Sequence, residues 1–483
     1  MRAPGDRMIE TTHPARHGVT RHVLLSCGLV LSMVALLGPL SRDGVAETAT
    51  GEPPATPQAE CGPGSLPETG LQGRVPLAEV ESGRAAQGYS CNATRIGGLP
   101  EVGQFKVHRY VDTGGRECAY VDNGGRETGT RVIDMADPAK PVLVRHLTSP
   151  AMQSPHESLQ LHAGRGLLIA VMGTFTTAPG FVDIYDVTKD CTNPTLITSS
   201  PMGLQGHESG LSPDGRTVWA TSLVDGGVTA VDIADPTTPR LLWHGRYNSH
   251  GLSISPDGNH AYLAVQPAAF LLPKGNAVRD LTGPVGLIVL DVSDIQERKP
   301  VPAVTEVGRL EWSTAAVPQN SFSMTVKGRP YLVEFDEFRD FSSGSVGAAR
   351  ILDSSDPANL EPVSDLRLEV NQAEHYDQVK GDPNATSKTG GYTAHYCSAP
   401  SFTDPGIVAC SFIKSGLRVF DVRNPKRPVE VAYYNAPQSP GRDASALTAP
   451  AFVPERREIW YADGNLGFHV VRLSESAWPK PKR

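Results

Sequence analysis

Four histidines occupy matching places in a repeated sequence unit: His156, His207, His250 and His395. Two of them show the spacing directly, because each lies five residues before a Ser-Pro-Asp-Gly turn, at 212–215 and at 255–258. Neutral imidazole is a common ligand of zinc, copper and iron, and histidines that converge on one point can form a metal site. The pattern therefore indicates a site for one transition metal (Zn, Cu, Mn or Fe). A polar organic ligand, or inherited strand caps that bind nothing, are the alternatives.

The repeated unit is a short β-branched run that ends in Asp and is followed by a turn, a pattern typical of β-strands. Seven copies recur at intervals of 46 to 68 residues, the last one degraded at 468–472. The chain also contains 48 Gly and 41 Pro, which suits a protein rich in turns. This spacing predicts an all-β fold, a seven-bladed β-propeller with four-stranded antiparallel blades.

Closure of the ring needs one more strand, because only Trp478-Pro479 and a basic tail follow the last copy. An orphan strand over 73–80 precedes the first copy. We expect this N-terminal strand to complete blade seven and to cover its edge.

Some of the repeats are nearly identical in their turns, such as Val-Ile-Asp-Met-Ala-Asp-Pro at 132–138 and Ala-Val-Asp-Ile-Ala-Asp-Pro at 230–236. These segments resemble LVIVD repeats, a β-propeller family typical of exported bacterial proteins. The resemblance covers about residues 70–475 and implies the propeller fold. It implies no particular chemistry, since propellers serve binding, scaffolding and catalysis alike.

Aligning the repeats predicts the residues that ring one mouth of the central channel. Besides the four histidines, the ring receives one residue from each remaining blade: Tyr89, Asn320 and Thr448. His375 lies in an insertion between the fifth and sixth repeats and is a candidate ligand contact that would cover the ring; an exposed loop histidine is the alternative, and the one that base rates favour.

Acidic residues near this ring are expected to play a smaller part. Glu157 and Glu208 each follow a ring histidine, and strand alternation would turn them away from the channel, where they could at best orient an imidazole. Glu334, Asp336, Glu337 and Asp377 lack EF-hand spacing and are expected to be solvated loop carboxylates.

Three classes of function remain open from these residues. The leading one is binding of a small molecule or a protein at the histidine-ringed mouth. The others are a metal-dependent enzyme of oxidase or hydrolase type, and a scaffold with structural histidines. Nucleic acid is excluded as a partner by the net charge of −8 and the lack of basic blocks before 480–483. We expect a monomer.

The N-terminal region reads as an export segment. Cationic residues precede an apolar run at 23–40, and Gly44-Val45-Ala46 offers a cleavage site, which predicts a signal peptide over 1–46. An uncleaved membrane anchor is the alternative. Residues 47–70 are predicted to be a flexible Pro-rich linker, 71–476 the propeller and 477–483 a basic tail. The protein is expected to be secreted or extracytoplasmic, and at the cell surface if the segment is retained.

Six cysteines follow the export segment, and an even number in an exported chain predicts disulfides. The repeat alignment pairs Cys91 with Cys118 and Cys397 with Cys410. Cys61 and Cys191 then remain for each other.

Overall fold

The computed structural model describes residues 52–101, 103–122, 129–173, 179–222, 226–266, 285–312, 317–338, 346–383, 385–386 and 390–479. The predicted signal peptide and the basic residues 480–483 lie outside this range.

Seven antiparallel sheets form a ring, and the predicted seven-bladed propeller is confirmed. Two strands precede blade one: β1 (Tyr89–Cys91) and β2 (Ala93–Leu99). Blades one to three contain β3 (Val107–Val111), β4 (Glu117–Val121), β5 (Thr130–Asp134), β6 (Val142–Leu147), β7 (Leu159–His162), β8 (Leu167–Val171), β9 (Val182–Asp186), β10 (Thr195–Ser200), β11 (Ser209–Leu211), β12 (Thr217–Thr221), β13 (Gly227–Asp232) and β14 (Arg240–Arg246). Blades four and five contain β15 (Ser249–Ile254), β16 (His260–Val265), β17 (Val285–Asp291), β18 (Thr305–Trp312), β19 (Val317–Val326), β20 (Arg329–Glu337), β21 (Ala349–Asp353) and β22 (Glu361–Leu366). Blades six and seven contain β23 (Ala394–Ser398), β24 (Ile407–Phe412), β25 (Gly416–Asp421), β26 (Val429–Asn435), β27 (Ala451–Val453), β28 (Glu458–Asp463) and β29 (Gly467–Leu473).

Helical segments are few and short in the described residues. The α-helices are α1 (Leu77–Glu81), α2 (Pro150–Gln153), α3 (Ser293–Gln296) and α4 (Tyr376–Val379). Single 3-10 turns lie at Arg84–Gln87, Ala163–Arg165, Glu369–Asn371, Ala373–His375 and Pro454–Arg456. No helix among the described residues is both long and apolar enough to cross a membrane.

The third strand of each blade shows why the repeated run is apolar throughout. In β13, Val228 and Ala230 pack against blade four, whereas Val231 and the following Ile233 pack against blade two. Both faces of the strand are therefore buried between neighbouring blades. The terminal Asp closes the turn: Asp232 Oδ1 accepts a hydrogen bond of 2.9 Å from the Ala234 amide, as Asp134 does from Ala136.

Closure occurs through an N-terminal strand as expected, but a different one. β2 pairs with β29 and completes blade seven, with Leu99 opposite Phe468. The predicted strand over 73–80 is wrong, since α1 begins there immediately after Pro76. Proline lacks an amide donor and is well suited to a helix start, while 93–99 can supply the continuous pairing that a blade edge needs.

The N-terminal part of the described chain packs on the propeller. The Thr56 amide donates to the Arg367 carbonyl at 2.8 Å, and Arg367 Nη2 bonds Glu52 Oε1 at 2.6 Å. Glu68 forms a buried ion pair with Arg418 of blade six. Residues 52–70 are therefore an ordered part of the body rather than the predicted flexible linker.

Three disulfides are present, and one of the predicted pairings is confirmed. Cys397 and Cys410 join β23 to β24. The other two predictions were wrong, because the bonds are Cys61–Cys91 and Cys118–Cys191. Cys91 lies in β1, an added outer strand of blade six, and so it is far from blade one in the topology. The presence of three disulfides indicates that the protein folds in an oxidising environment.

Candidate functional site

The inner strands bring the four ring histidines together at one end of the central channel. His156 lies three residues before the first strand of blade two and His207 two residues before that of blade three, and His250 and His395 lie in β15 and β23. The ring centroids of His156 and His207 are 4.4 Å apart, as are those of His207 and His250. The Nε2 atoms of His207 and His250 are separated by 2.9 Å. Side chains far apart in sequence thus form one cluster.

Backbone carbonyls orient two of these rings. His250 Nδ1 lies 3.2 Å from the Gln319 carbonyl oxygen, and His395 Nδ1 lies 2.5 Å from that of Leu447. A carbonyl can only accept, so each Nδ1 carries the proton and donates it. In the neutral imidazole Nε2 then has a free lone pair, which is the arrangement that metal-binding histidines use. His395 Nε2 is buried and finds no hydrogen-bond partner among the described residues.

Glu157 lies at the centre of the cluster, contrary to the expectation that it faces away. Its Oε2 is 3.7 Å from His207 Nε2, and its Oε1 is 3.8 Å from His395 Nε2. The alternation rule fails because His156 has a φ of 54°, in the left-handed region, so the chain is not extended there. Burial, and then the charges of Glu208 and Glu337, raise the pKa of Glu157 well above its usual value.

Glu208 also points inward, but other side chains already bind it. Its Oε1 accepts hydrogen bonds from Lys106 Nζ at 2.7 Å and from Asn320 Nδ2 at 2.6 Å. Burial raises the pKa of Glu208, but the nearby Lys106 and His250 outweigh it and hold that pKa below the usual value. Lys106 Nζ lies 3.9 Å from the centroid of the Tyr396 ring. Asn320 therefore reaches the site by holding a carboxylate, while its predicted contact with a ligand stays a prediction.

Glu337 and Lys106 are parts of the cluster that the sequence interpretation missed. Glu337 ends β20, with Oε1 at 3.4 Å from His395 Nε2 and Oε2 at 3.8 Å from His250 Nε2. It was expected in a solvated loop, as were Glu334 and Asp336, which are instead buried and paired with Arg350. The apolar run at 331–333 was the available sign that these carboxylates continue a buried strand. The sequence contains no comparable sign that Lys106 would reach the site.

Three predicted contact residues lie apart from the cluster. Tyr89 is in β1, where its hydroxyl donates to Glu79 Oε2 at 2.7 Å. The Thr448 hydroxyl donates to the Ala462 carbonyl within its own blade, at 3.1 Å. His375 is in a 3-10 turn, where its Nε2 lies 3.6 Å from Glu374 Oε1. The alignment failed at Tyr89 because the first strand of blade one is β3.

The side chains of the cluster differ in how far they are exposed to solvent. Glu157, His250 and His395 are at most 2% exposed, whereas the side chains of His156 and His207 are 21% and 16% exposed. Burial, and then repulsion from His250 and His395, lower the pKa of His156 to about 3. His156 is therefore neutral at physiological pH, the form in which imidazole binds a cation.

Comparisons with known proteins support the fold. No protein-family model matches this chain, and no curated protein matches it in sequence. The structure is similar to the periplasmic gluconolactonase PpgL of Pseudomonas aeruginosa, with 14% identity, 76% of this chain and 94% of that chain covered, and a TM-score of 0.52. It is also similar to hydrazine synthase of Kuenenia stuttgartiensis, with 11% identity, 78% and 97% coverage, and a TM-score of 0.47. At such identities the likeness concerns the fold alone. Fold and site together define a seven-bladed propeller with a histidine–carboxylate cluster at its central channel.

Proposed function

We propose that this protein binds one transition-metal ion at the end of its central channel. The Nε2 atoms of His207, His250 and His395 are the principal ligands, with His156 and a carboxylate from Glu157 or Glu337 completing the set. The observation that carries the proposal is the orientation of the imidazoles. The carbonyls of Gln319 and Leu447 accept hydrogen bonds from Nδ1 of His250 and His395, which leaves the Nε2 atoms of these two rings unprotonated.

The separations between these donor atoms suit a common ion. Ligands bound at about 2.1 Å to one ion lie roughly 3 to 3.4 Å apart. Two of the donor pairs come near this range: the Nε2 atoms of His207 and His250 are 2.9 Å apart, and His250 Nε2 is 3.8 Å from Glu337 Oε2. The ligand atoms of His156, Glu157 and His207 all lie within 4.8 Å of one another, as do those of Glu157, Glu208 and His250.

The charge balance of the cluster is also favourable for a cation. Lys106 pairs with Glu208, whereas Glu157 and Glu337 both lie beside the histidine nitrogens and repel each other. A divalent ion would relieve their mutual repulsion. Imidazole favours Zn, Cu or Fe, and the carboxylates also admit Mn.

The biological role that we attach to this site is extracytoplasmic binding of a small molecule or protein partner at the metal. Three disulfides support an oxidising location, and the apolar run at 23–40 supports export. The Asp-Pro turns support membership of the LVIVD-repeat family. We further propose that the protein acts as a monomer without nucleic acid.

Metal-dependent catalysis is the second candidate, and Glu157 favours it. This carboxyl is 2% exposed, touches the imidazoles and has a raised pKa, so it could hold a proton next to a metal-bound ligand. A bound metal would supply polarisation of a substrate or activation of water.

Elemental analysis of untagged, exported protein tests the proposal. We expect about one equivalent of a transition metal in the native protein and nearly none in a His207→Ala/His250→Ala variant that keeps its fold by circular dichroism. His146→Ala/His244→Ala is the matched control, because both histidines are exposed on the outer strands β6 and β14. Native protein that contains no metal and takes up no added Zn, Cu, Mn or Fe would favour structural histidines and a scaffold.

A further inference from the structure

Blades one and seven face the cluster without donating a ligand from the residues that the structure describes. In blade seven, Thr448 is bonded to its own blade through Ala462. In blade one, the Lys106 ammonium is bonded to Glu208. The side chain left facing the cluster from this sector is Phe105.

Phe105 fills the gap between the histidines of blades two and six. Its ring stacks on His156 with centroids 4.3 Å apart, and it lies 5.7 Å from the ring of His395. Its backbone is held on both sides, since its amide donates to Asp122 Oδ1 at 3.1 Å and its carbonyl accepts from the Ala449 amide at 2.8 Å. The phenyl ring is thus a fixed apolar wall.

A buried polar network lies against the cluster. Lys106 extends from blade one to Glu208 of blade three and passes over Tyr396 of blade six, and Asn320 of blade five bonds the same carboxylate. These four buried side chains form a polar network beside the histidines, which we call the polar floor. The partial exposure of His156 and His207 marks the side from which a ligand can arrive.

We infer that the metal keeps an exchangeable position facing Phe105, and that this residue limits the size of the ligand that can bind there. A phenyl ring cannot coordinate an ion, so water or a small exogenous molecule must fill the coordination position on that side. This inference rests on the proposed metal site and adds the size class of its ligand and the residue that sets it.

The test uses full-length protein loaded with Co²⁺, whose visible absorption reports its coordination. Azide serves as the small probe and imidazole as the larger one. We expect wild-type protein to bind azide and to exclude imidazole. Phe105→Ala should take up the same one equivalent of Co²⁺ but bind imidazole at least about tenfold more tightly. Phe105→Leu retains an apolar wall and is less disruptive to folding. Its affinity for imidazole should lie between those of the wild type and Phe105→Ala.

Phe402→Ala is the matched control, because Phe402 is 63% exposed and packs against Phe322, away from the cluster. All three proteins, wild type, Phe105→Leu and Phe105→Ala, are compared with Co²⁺ bound. If the affinity for azide and the affinity for imidazole do not differ between them, the role of Phe105 is overturned and the metal site stands. Wild-type protein that binds no Co²⁺, Zn²⁺, Cu²⁺, Mn²⁺ or Fe²⁺ would instead overturn the metal site and, with it, this inference.

Discussion

Gly251 allows a carboxylate and a carbonyl to approach His250 from the same side. A Cβ atom at this position would overlap Glu208 Oε2 and lie 2.7 Å from the Gln319 carbonyl oxygen. That carbonyl orients His250, and Glu208 anchors the polar floor. The missing side chain is therefore a requirement of the site's geometry.

We predict that Gly251→Ala lowers the free energy of unfolding by about 1–3 kcal/mol, because overpacking shifts the neighbouring backbone. It should also weaken metal binding, since the carbonyl that directs His250 must move. Urea denaturation and metal titration measure the two effects. Gly381→Ala is the control, because a Cβ there meets no atom within 4 Å. Wild-type behaviour of Gly251→Ala in both measurements would contradict this account.

At the scale of elements, the disulfides differ in how much chain they enclose. Cys118–Cys191 connects β4 of blade one to the turn after β9 of blade two and spans 73 residues. Cys397–Cys410 connects two strands of one hairpin and spans 13 residues. In the chain-entropy model a cross-link stabilises the folded state more when it closes a longer loop.

We therefore predict that Cys118→Ser/Cys191→Ser costs about 1.5 kcal/mol more stability than Cys397→Ser/Cys410→Ser. Unfolding free energies from guanidinium titration of both variants test this difference. A larger loss in the hairpin variant would show that local packing around its strands, rather than loop closure, dominates.

At the scale of the whole molecule, a buried histidine outside the site links stability to pH. His469 on β29 is 3% exposed, and its Nδ1 accepts a hydrogen bond of 3.1 Å from Arg95 Nε. Burial, and then the charge of Arg95, lower the pKa of His469 to about 3. As the pH falls below about 6.5, the unfolded chain binds a proton at this residue and the folded chain does not. The contribution of His469 to the free energy of unfolding is therefore fully present above about pH 6.5 and is lost as the pH falls from about 6.5 to 3.

We predict that lowering the pH from 7 to 4.5 destabilises the wild type by about 2 kcal/mol more than His469→Gln, which cannot take the proton. Urea denaturation of metal-free protein at both pH values measures this difference. His146→Gln, at an exposed position on β6, should keep the wild-type dependence. Parallel pH profiles of wild type and His469→Gln would contradict the prediction.

The sequence by itself determined the repeated architecture and the four histidines. The apolar run, the terminal Asp and the turn are local properties, and their recurrence at similar intervals implies a ring of like units. His207 and His250 could be aligned because each stands at a constant distance from a Ser-Pro-Asp-Gly turn.

Only the tertiary structure decided which residues complete the site and close the ring. Lys106, Glu337 and Phe105 reach the histidines from different blades, and no repeat register relates them. Glu157 turns inward because the backbone of His156 is left-handed, which local alternation does not foresee. The closing strand and two of the disulfides likewise depend on contacts between segments far apart in the chain, since their partners are chosen by where the blades bring them together.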